Sequence, residues 1–161
     1  MGMLILEGIV SCFIVLICCV VGIANGPVGL VIFYEKEVHE RACELGLTDK
    51  ARIKRNAALF RFFGIVPLFL FVIWAVYGLN GADGFWQGFW QITFILLCEG
   101  LFDRLFIDYW WVGKTKAWDI KGTEDLKPYI YGKTLIGKWL MTLVGYPVIA
   151  AVIAGVRELI V

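Results

Sequence analysis

Four long runs of apolar residues, separated by two polar stretches and one short turn, organise the chain. They cover residues 3–34, 57–79, 85–107 and 135–156. Each meets the requirement of about 20 apolar residues for crossing about 30 Å of hydrocarbon. The pattern predicts an all-α fold: a polytopic membrane protein built as a bundle of four transmembrane helices, one domain over 1–161. Interfacial or cytoplasmic helical extensions are expected at 35–56 and 108–134. The first run has no basic leading segment and no small-residue cleavage site, which predicts a retained span rather than a signal peptide.

The polar stretches carry their own pattern. In "ANGPVG" (24–29), Pro27 lacks a backbone donor, so a kink is expected near that end of the first span. "FYEKEVHERACELG" (33–46) predicts a helix leaving the membrane, with Glu37 and Arg41 as an i,i+4 pair and Gly46 as its C-cap. "LTDKARIKRNAALF" starts a new helix with Thr48 as N-cap and Asp49 in its first turn. That helix runs toward the second span, where Pro67 predicts a bend. "GKTKAWDIKGTEDLKPYIYGK" (113–133) mixes Trp118, Ile120, Tyr129 and Tyr131 with charges. It predicts an interfacial hairpin or short helix, starting at Thr123, folded against the mouth of the bundle.

Composition places the chain in a cell membrane: 60% of residues are hydrophobic and 18% charged, against about 25% charged in soluble domains. Of the 15 Lys and Arg residues, all but Arg157 lie between Lys36 and Lys138, within or beside the two longer connections. Basic residues mark the cytoplasmic side, so both termini and residues 80–84 are expected outside. The net charge of +1 is distributed by topology and gives no case for a nucleic-acid partner. "GFWQGFWQ" (84–91) sets Trp86 and Trp90 at the level of an outer aromatic belt. The five cysteines are an odd count, and Cys12, Cys18, Cys19 and Cys98 fall inside spans. Small apolar thiols fit that placement better than a disulfide framework.

"FYEKEVHERACELGLT", followed later by "DYWWVGKTKAWDIKGTEDLKPY", resembles an uncharacterised family of small bacterial four-helix integral membrane proteins. The shared marks are an aspartate-aromatic helix end and a "GTE" cytoplasmic loop. The resemblance implies a bacterial inner-membrane location and the fold, and implies no activity.

Candidate chemistry concentrates in "CEGLFDRLFIDYWW" (98–111). Counting from Trp86 at about 1.5 Å per residue puts Glu99 about 20 Å into the membrane. Asp103 follows at about 25 Å, Arg104 at about 27 Å, and Asp108 at about 33 Å near the inner interface. Glu99 and Asp103 share one stripe by their i,i+4 spacing. Arg104 and Asp108 form a second i,i+4 pair more than a quarter turn away. A charge at the bilayer centre costs about 2.5–3.5 kcal/mol on insertion scales, so these groups require partners. The same counting brings Asn25, Arg61 and Lys138 to their level. The expectation is a polar layer assembled from all four helices, either as helix-fixing contacts or as a site open to the cytoplasm. Glu7 and Arg157 are expected to pair as an outer latch.

Several chemistries are excluded by what the chain lacks. His39 is the single histidine, so a three-histidine zinc site cannot form within one chain. Glu35 and His39, joined by Asp108, are the only metal candidates, beside the alternative of a solvated interfacial histidine. Ser11 is the only serine, and no Gly-rich phosphate loop is present. No catalytic residue or cofactor is assigned. Three functional classes remain. The first is a small transporter or channel-type protein whose carboxylate pair binds a cation, a proton or a cationic solute. The second is a membrane-embedded enzyme or lipid-binding protein, with 109–133 holding an anionic headgroup. The third is a non-catalytic subunit of a larger complex. Expected partners are the lipid bilayer and either further copies of the chain or a larger membrane complex.

Overall fold

A computed structural model describes residues 1–160. The fold is all-helical, with no strand among the described residues. Helix α1 spans Gly2–Ile23, α2 Lys36–Glu44, α3 Lys50–Leu79 and α5 Gly132–Ile160. Helix α4 covers Gly84–Phe102 and continues in π-type turns over Asp103–Val112. Three helices, α1, α3 and α5, are long and apolar enough to cross a membrane, which is consistent with a membrane location. Their outward faces carry exposed large apolar side chains, among them Phe13 and Val21, Phe62 and Leu70, and Leu140 and Val148. Helix α4 is the central element. It packs most extensively against α1 and the last turns of α5, and its Ile92, Ile95 and Leu96 are fully buried.

Close approach at α4 depends on small residues. A Cβ on Gly8 of α1 would come within 2.9 Å of the Cys98 Cβ, and one on Gly100 within 2.7 Å of Thr142 on α5. Glycine lets backbones meet where no hydrophobic driving force separates lipid from protein.

The first helix is shorter than the apolar run predicts. It ends at Ile23 rather than extending to residue 34, because Gly26 turns the chain with φ 99° and Pro27 opens a 3₁₀ segment over Pro27–Phe33. That segment lies back against α1. A Cβ on Gly22 would meet Leu30 at 2.5 Å, and one on Gly29 the Gly22 carbonyl oxygen at 3.1 Å. The Asn56 amide of α3 secures the return by donating to the Gly29 carbonyl at 3.0 Å.

Two prolines account for two of the π-type turns. Pro67 has no N–H for the Phe63 carbonyl, and Pro147 has none for that of Leu143. In each case the residue before proline donates one position further back, Val66 to Arg61 and Tyr146 to Met141. The freed Phe63 carbonyl accepts from the Cys18 thiol at 3.7 Å. In a helix apolar enough to cross a membrane, a freed carbonyl needs such a partner, and a helix cysteine supplies it.

The connections are ordered. Helix α2 ends in a Schellman motif: Gly46 (φ 68°) donates to the Cys43 carbonyl and Leu47 to that of Ala42, each at 3.0 Å. Helix α3 starts one residue later than its sequence suggests. The cap is Asp49, not Thr48, with its carboxylate accepting from the Arg52 N–H at 2.8 Å. The Glu37–Arg41 pair does not form, since both side chains reach the other connection. Glu37 accepts from the Tyr131 hydroxyl at 2.9 Å, and Arg41 lies 3.5 Å from Asp125. Residues 113–133 form a packed cap with Trp118, Ile120, Tyr129 and Ile130 buried. Tyr34 stacks on Tyr129 at 4.7 Å and donates to the Trp118 carbonyl at 3.1 Å. Thr123 stands at the start of a short helical turn, as its sequence suggests. It precedes one 3₁₀ turn, Glu124–Leu126, and its buried hydroxyl bonds the Ile120 carbonyl at 2.8 Å.

Candidate functional site

The ionisable residues of α4 line one cavity near the point where the helix passes from α-type to π-type turns. Glu99 sits in the last α-type turn and Asp103 opens the π-type turns. The Asp103 N–H still bonds the Glu99 carbonyl in α-type geometry, and it is the packing of α1, α3 and α5 around α4 that turns both Glu99 and Arg104 toward the interior. Glu99, Arg104 and Asp108 are therefore buried together, whereas Asp103 sits at the rim with its side chain 20% exposed. Both stripes expected from the sequence border the same cavity.

Helix α5 faces this cluster with Lys138, Thr142 and Tyr146, spaced four residues apart on one side. The Tyr146 hydroxyl donates to Glu99 Oε2 at 2.9 Å. Lys138 Nζ reaches Asp108 Oδ1 at 2.7 Å and lies 5.2 Å from the centre of the Phe33 ring. Arg104 pairs with Asp103, and its Nε is 3.1 Å from Asp108 Oδ2. Asp103 and Asp108 thus share two cations. Glu99 has no cation within 4.0 Å among the described residues, and its one side-chain partner is the phenol.

A cavity of about 250 Å³ opens beside these groups. Glu99, Asp103, Arg104, Asp108, Lys138 and Tyr146 all line it. Apolar walls come from Val15 of α1, Phe60 and Leu68 of α3, and Phe33 of the 3₁₀ segment. Trp118 of the cap also borders the cavity, and its buried indole N–H has no acceptor. A buried donor without a protein partner is met in other proteins by water or ligand. Thr142, Tyr146 and Trp118 were not among the expected site residues. The first two were legible as the only polar positions continuing the Lys138 stripe through the apolar run.

Asn25 and Arg61 stand apart from the cluster. Asn25 is exposed on an open groove between α1 and α3, and Arg61 is exposed on α3. The chain turns at Gly26 before Asn25 can reach the bundle interior. Glu35 and His39 do not approach Asp108 as metal ligands, and no group of three metal-type side chains gathers among the described residues. Glu35 accepts from the Thr134 N–H at 3.0 Å, so it caps α5 from the neighbouring connection. Hydrogen bonding from Thr134, side chain first and then backbone, holds the Glu35 carboxyl below the usual range.

At the opposite end of the bundle the expected Glu7–Arg157 latch is replaced by an amide bridge. Asn80 donates to Glu7 Oε2 and to Gln91 Oε1, each at 3.0 Å, using both N–H groups of one amide. Arg157 instead lies over the Tyr77 ring at 5.5 Å. The acid Glu7 is buried, and the half-buried Arg157 packs on the Tyr77 ring instead of reaching it.

The chain matches no protein-family model, no curated protein and no solved structure.

Proposed function

We propose that the protein is a four-helix polytopic membrane protein of the transporter or channel type, and that Glu99 binds a proton, a small cation or a cationic solute within the α4–α5 cavity. In this reading α4 is the fourth span, and both termini lie on the extracytoplasmic side. Its central position supports that role, because α1 and α5 shield its polar side chains from lipid. The gathering of basic residues in and around the two longer connections supports the orientation.

The observation that carries the reading is the unequal charge at the cavity. Three carboxylates face two cations, and both cations are taken by Asp103 and Asp108. Glu99 is left with a neutral hydrogen-bond donor and open space beside it. An intramembrane carboxylate in that state favours an occupant of positive charge. Tyr146 orients the carboxylate, and Thr142 and the Trp118 N–H offer polar contacts to the remainder of a hydrated occupant.

The test is flux through proteoliposomes that contain a trapped pH-sensitive dye. Imposed gradients of sodium, potassium or ethylammonium should each be compared with the pH gradient alone. Wild-type protein is expected to move protons or exchange them for one of these cations, and Glu99→Gln to lose that flux while remaining folded. Undiminished flux through Glu99→Gln removes the reading.

A further inference from the structure

A second open space, larger than the Glu99 cavity, is a groove of about 860 Å³ between the last turns of α1, the 3₁₀ return and the first turns of α3. Its volume lies within the range of about 300–1,000 Å³ typical of small-molecule sites. Two features set its chemistry. One flank is apolar, with Ile17 and Val21 of α1 facing Leu59 and Phe63 of α3. The end nearest the connections carries Arg52 and Arg55, one turn apart on the same side of α3.

Neither arginine has an ion-pair partner among the described residues, and both are exposed. The nearby acid Asp49 is committed to the Arg52 backbone N–H as the helix cap. Asn56 is committed to the Gly29 carbonyl and fixes the groove wall. The arrangement is therefore a cationic rim leading into an apolar trough, on a helix whose apolar part begins at Ala57. Guanidinium groups bind phosphate through paired N–H donors, and a cationic side chain at this level faces lipid headgroups.

We propose that this groove seats one anionic phospholipid, its phosphate held between Arg52 and Arg55 and an acyl chain laid along Ile17, Val21 and Phe63. Charge complementarity at one end and an uncharged trough behind it select an amphiphile over a free anion. The glycines keep the trough open: Gly22 and Gly29 bring the return segment against α1, leaving the space toward α3 unfilled.

The experiment is native mass spectrometry of the full chain in detergent, titrated with phosphatidylglycerol and with phosphatidylcholine of matched acyl chains. Wild-type protein is expected to retain one phosphatidylglycerol in preference to phosphatidylcholine. Arg52→Gln/Arg55→Gln should weaken that retention by about tenfold or more, as expected for two basic side chains at an anionic surface. Arg61→Gln, on the same helix but outside the groove, should bind as wild type does. Equal retention of the two lipids, or an Arg61→Gln loss matching the double variant, would reduce the effect to diffuse attraction and overturn the proposal. Displacement of the lipid by an equal concentration of inorganic phosphate would overturn it too, by reassigning the rim to a free anion.

Discussion

The Tyr146 hydroxyl donates to the Glu99 carboxylate at 2.9 Å, joining the two helices that bury the acid. This contact separates the stability of the site from its chemistry. Tyr146→Phe keeps the ring and removes the donor, leaving a buried acceptor unmatched. That typically costs about 1–3 kcal/mol. Glu99→Gln keeps a carbonyl oxygen able to accept the same bond and removes only the charge. Thermal unfolding in detergent should therefore fall for Tyr146→Phe and stay near wild type for Glu99→Gln, while the flux assay responds to Glu99→Gln. Equal destabilisation by both would mean that the charge itself holds the helices together.

Gly100 tests how tightly α4 and α5 meet at this level. A Cβ there would stand 2.7 Å from Thr142 Cγ2 and 2.8 Å from Tyr146 Cε2, on a buried and a half-buried side chain of one helix face. Neither can withdraw without moving the cavity wall. Gly100→Ala should cost about 1–3 kcal/mol as an overpacked interface and disturb the Tyr146–Glu99 bond. Gly137→Ala is the matched control, since its Cβ meets nothing within 4 Å. It should be neutral, or stabilising by up to about 1 kcal/mol. Paired unfolding curves would decide, and a tolerant Gly100 would show the interface to be looser than described.

What was legible in the sequence followed from periodicity and composition. Apolar runs located the helices, Gly46 ended α2, and the Arg104–Asp108 spacing brought those two side chains together. The misses arose where packing between helices decides or where backbone departs from regular α-geometry. Helix counting puts Glu99 and Arg104 on different faces, and only the packing of neighbouring helices around α4 turns both of those faces inward. Helix counting also carried α1 past Ile23, since Val28, Leu30 and Val31 are as apolar in a returning 3₁₀ segment as in a helix. Pairings across the fold were the least accessible. Glu37 with Tyr131, and Glu35 with the start of α5, join residues roughly a hundred positions apart, and local spacing is silent about them.

Lys138 and Asp108 should behave as a coupled pair. Their side chains are only 17% and 5% exposed, with Nζ and Oδ1 at 2.7 Å. Removing one partner strands the other's charge, which costs about 3–5 kcal/mol in buried pairs. Lys138→Met should approach that range, moderated by the remaining Arg104 contact at 3.1 Å. Asp108→Asn in the same background should restore part of the loss, because the stranded carboxylate is then gone. A double-mutant cycle on unfolding free energies measures this coupling. Simple additivity of the two single changes would show that the ion pair contributes nothing beyond packing.

Two helix starts give the fold an acid-sensitive element. Glu35 accepts from Thr134 at the start of α5, and Asp49 from the Arg52 N–H at the start of α3. Hydrogen bonding from Thr134 lowers the Glu35 pKa from its ordinary 4.5, and the Arg52 N–H lowers that of Asp49 from 3.8. A carboxyl that titrates lower when folded stabilises the fold fully above its unfolded value. That contribution is lost as the pH falls through the lower folded value. Glu35→Gln and Asp49→Asn keep an acceptor oxygen but lose the charge that favours a helix N-terminus. Each variant should therefore melt below wild type at pH 7, and the gap should close as the pH falls below about 4.5 for Glu35 and 3.8 for Asp49. Melting curves recorded in detergent at stepped pH would check this. A gap that stays constant into acid would mean that the oxygen geometry, and not the charge, caps these helices.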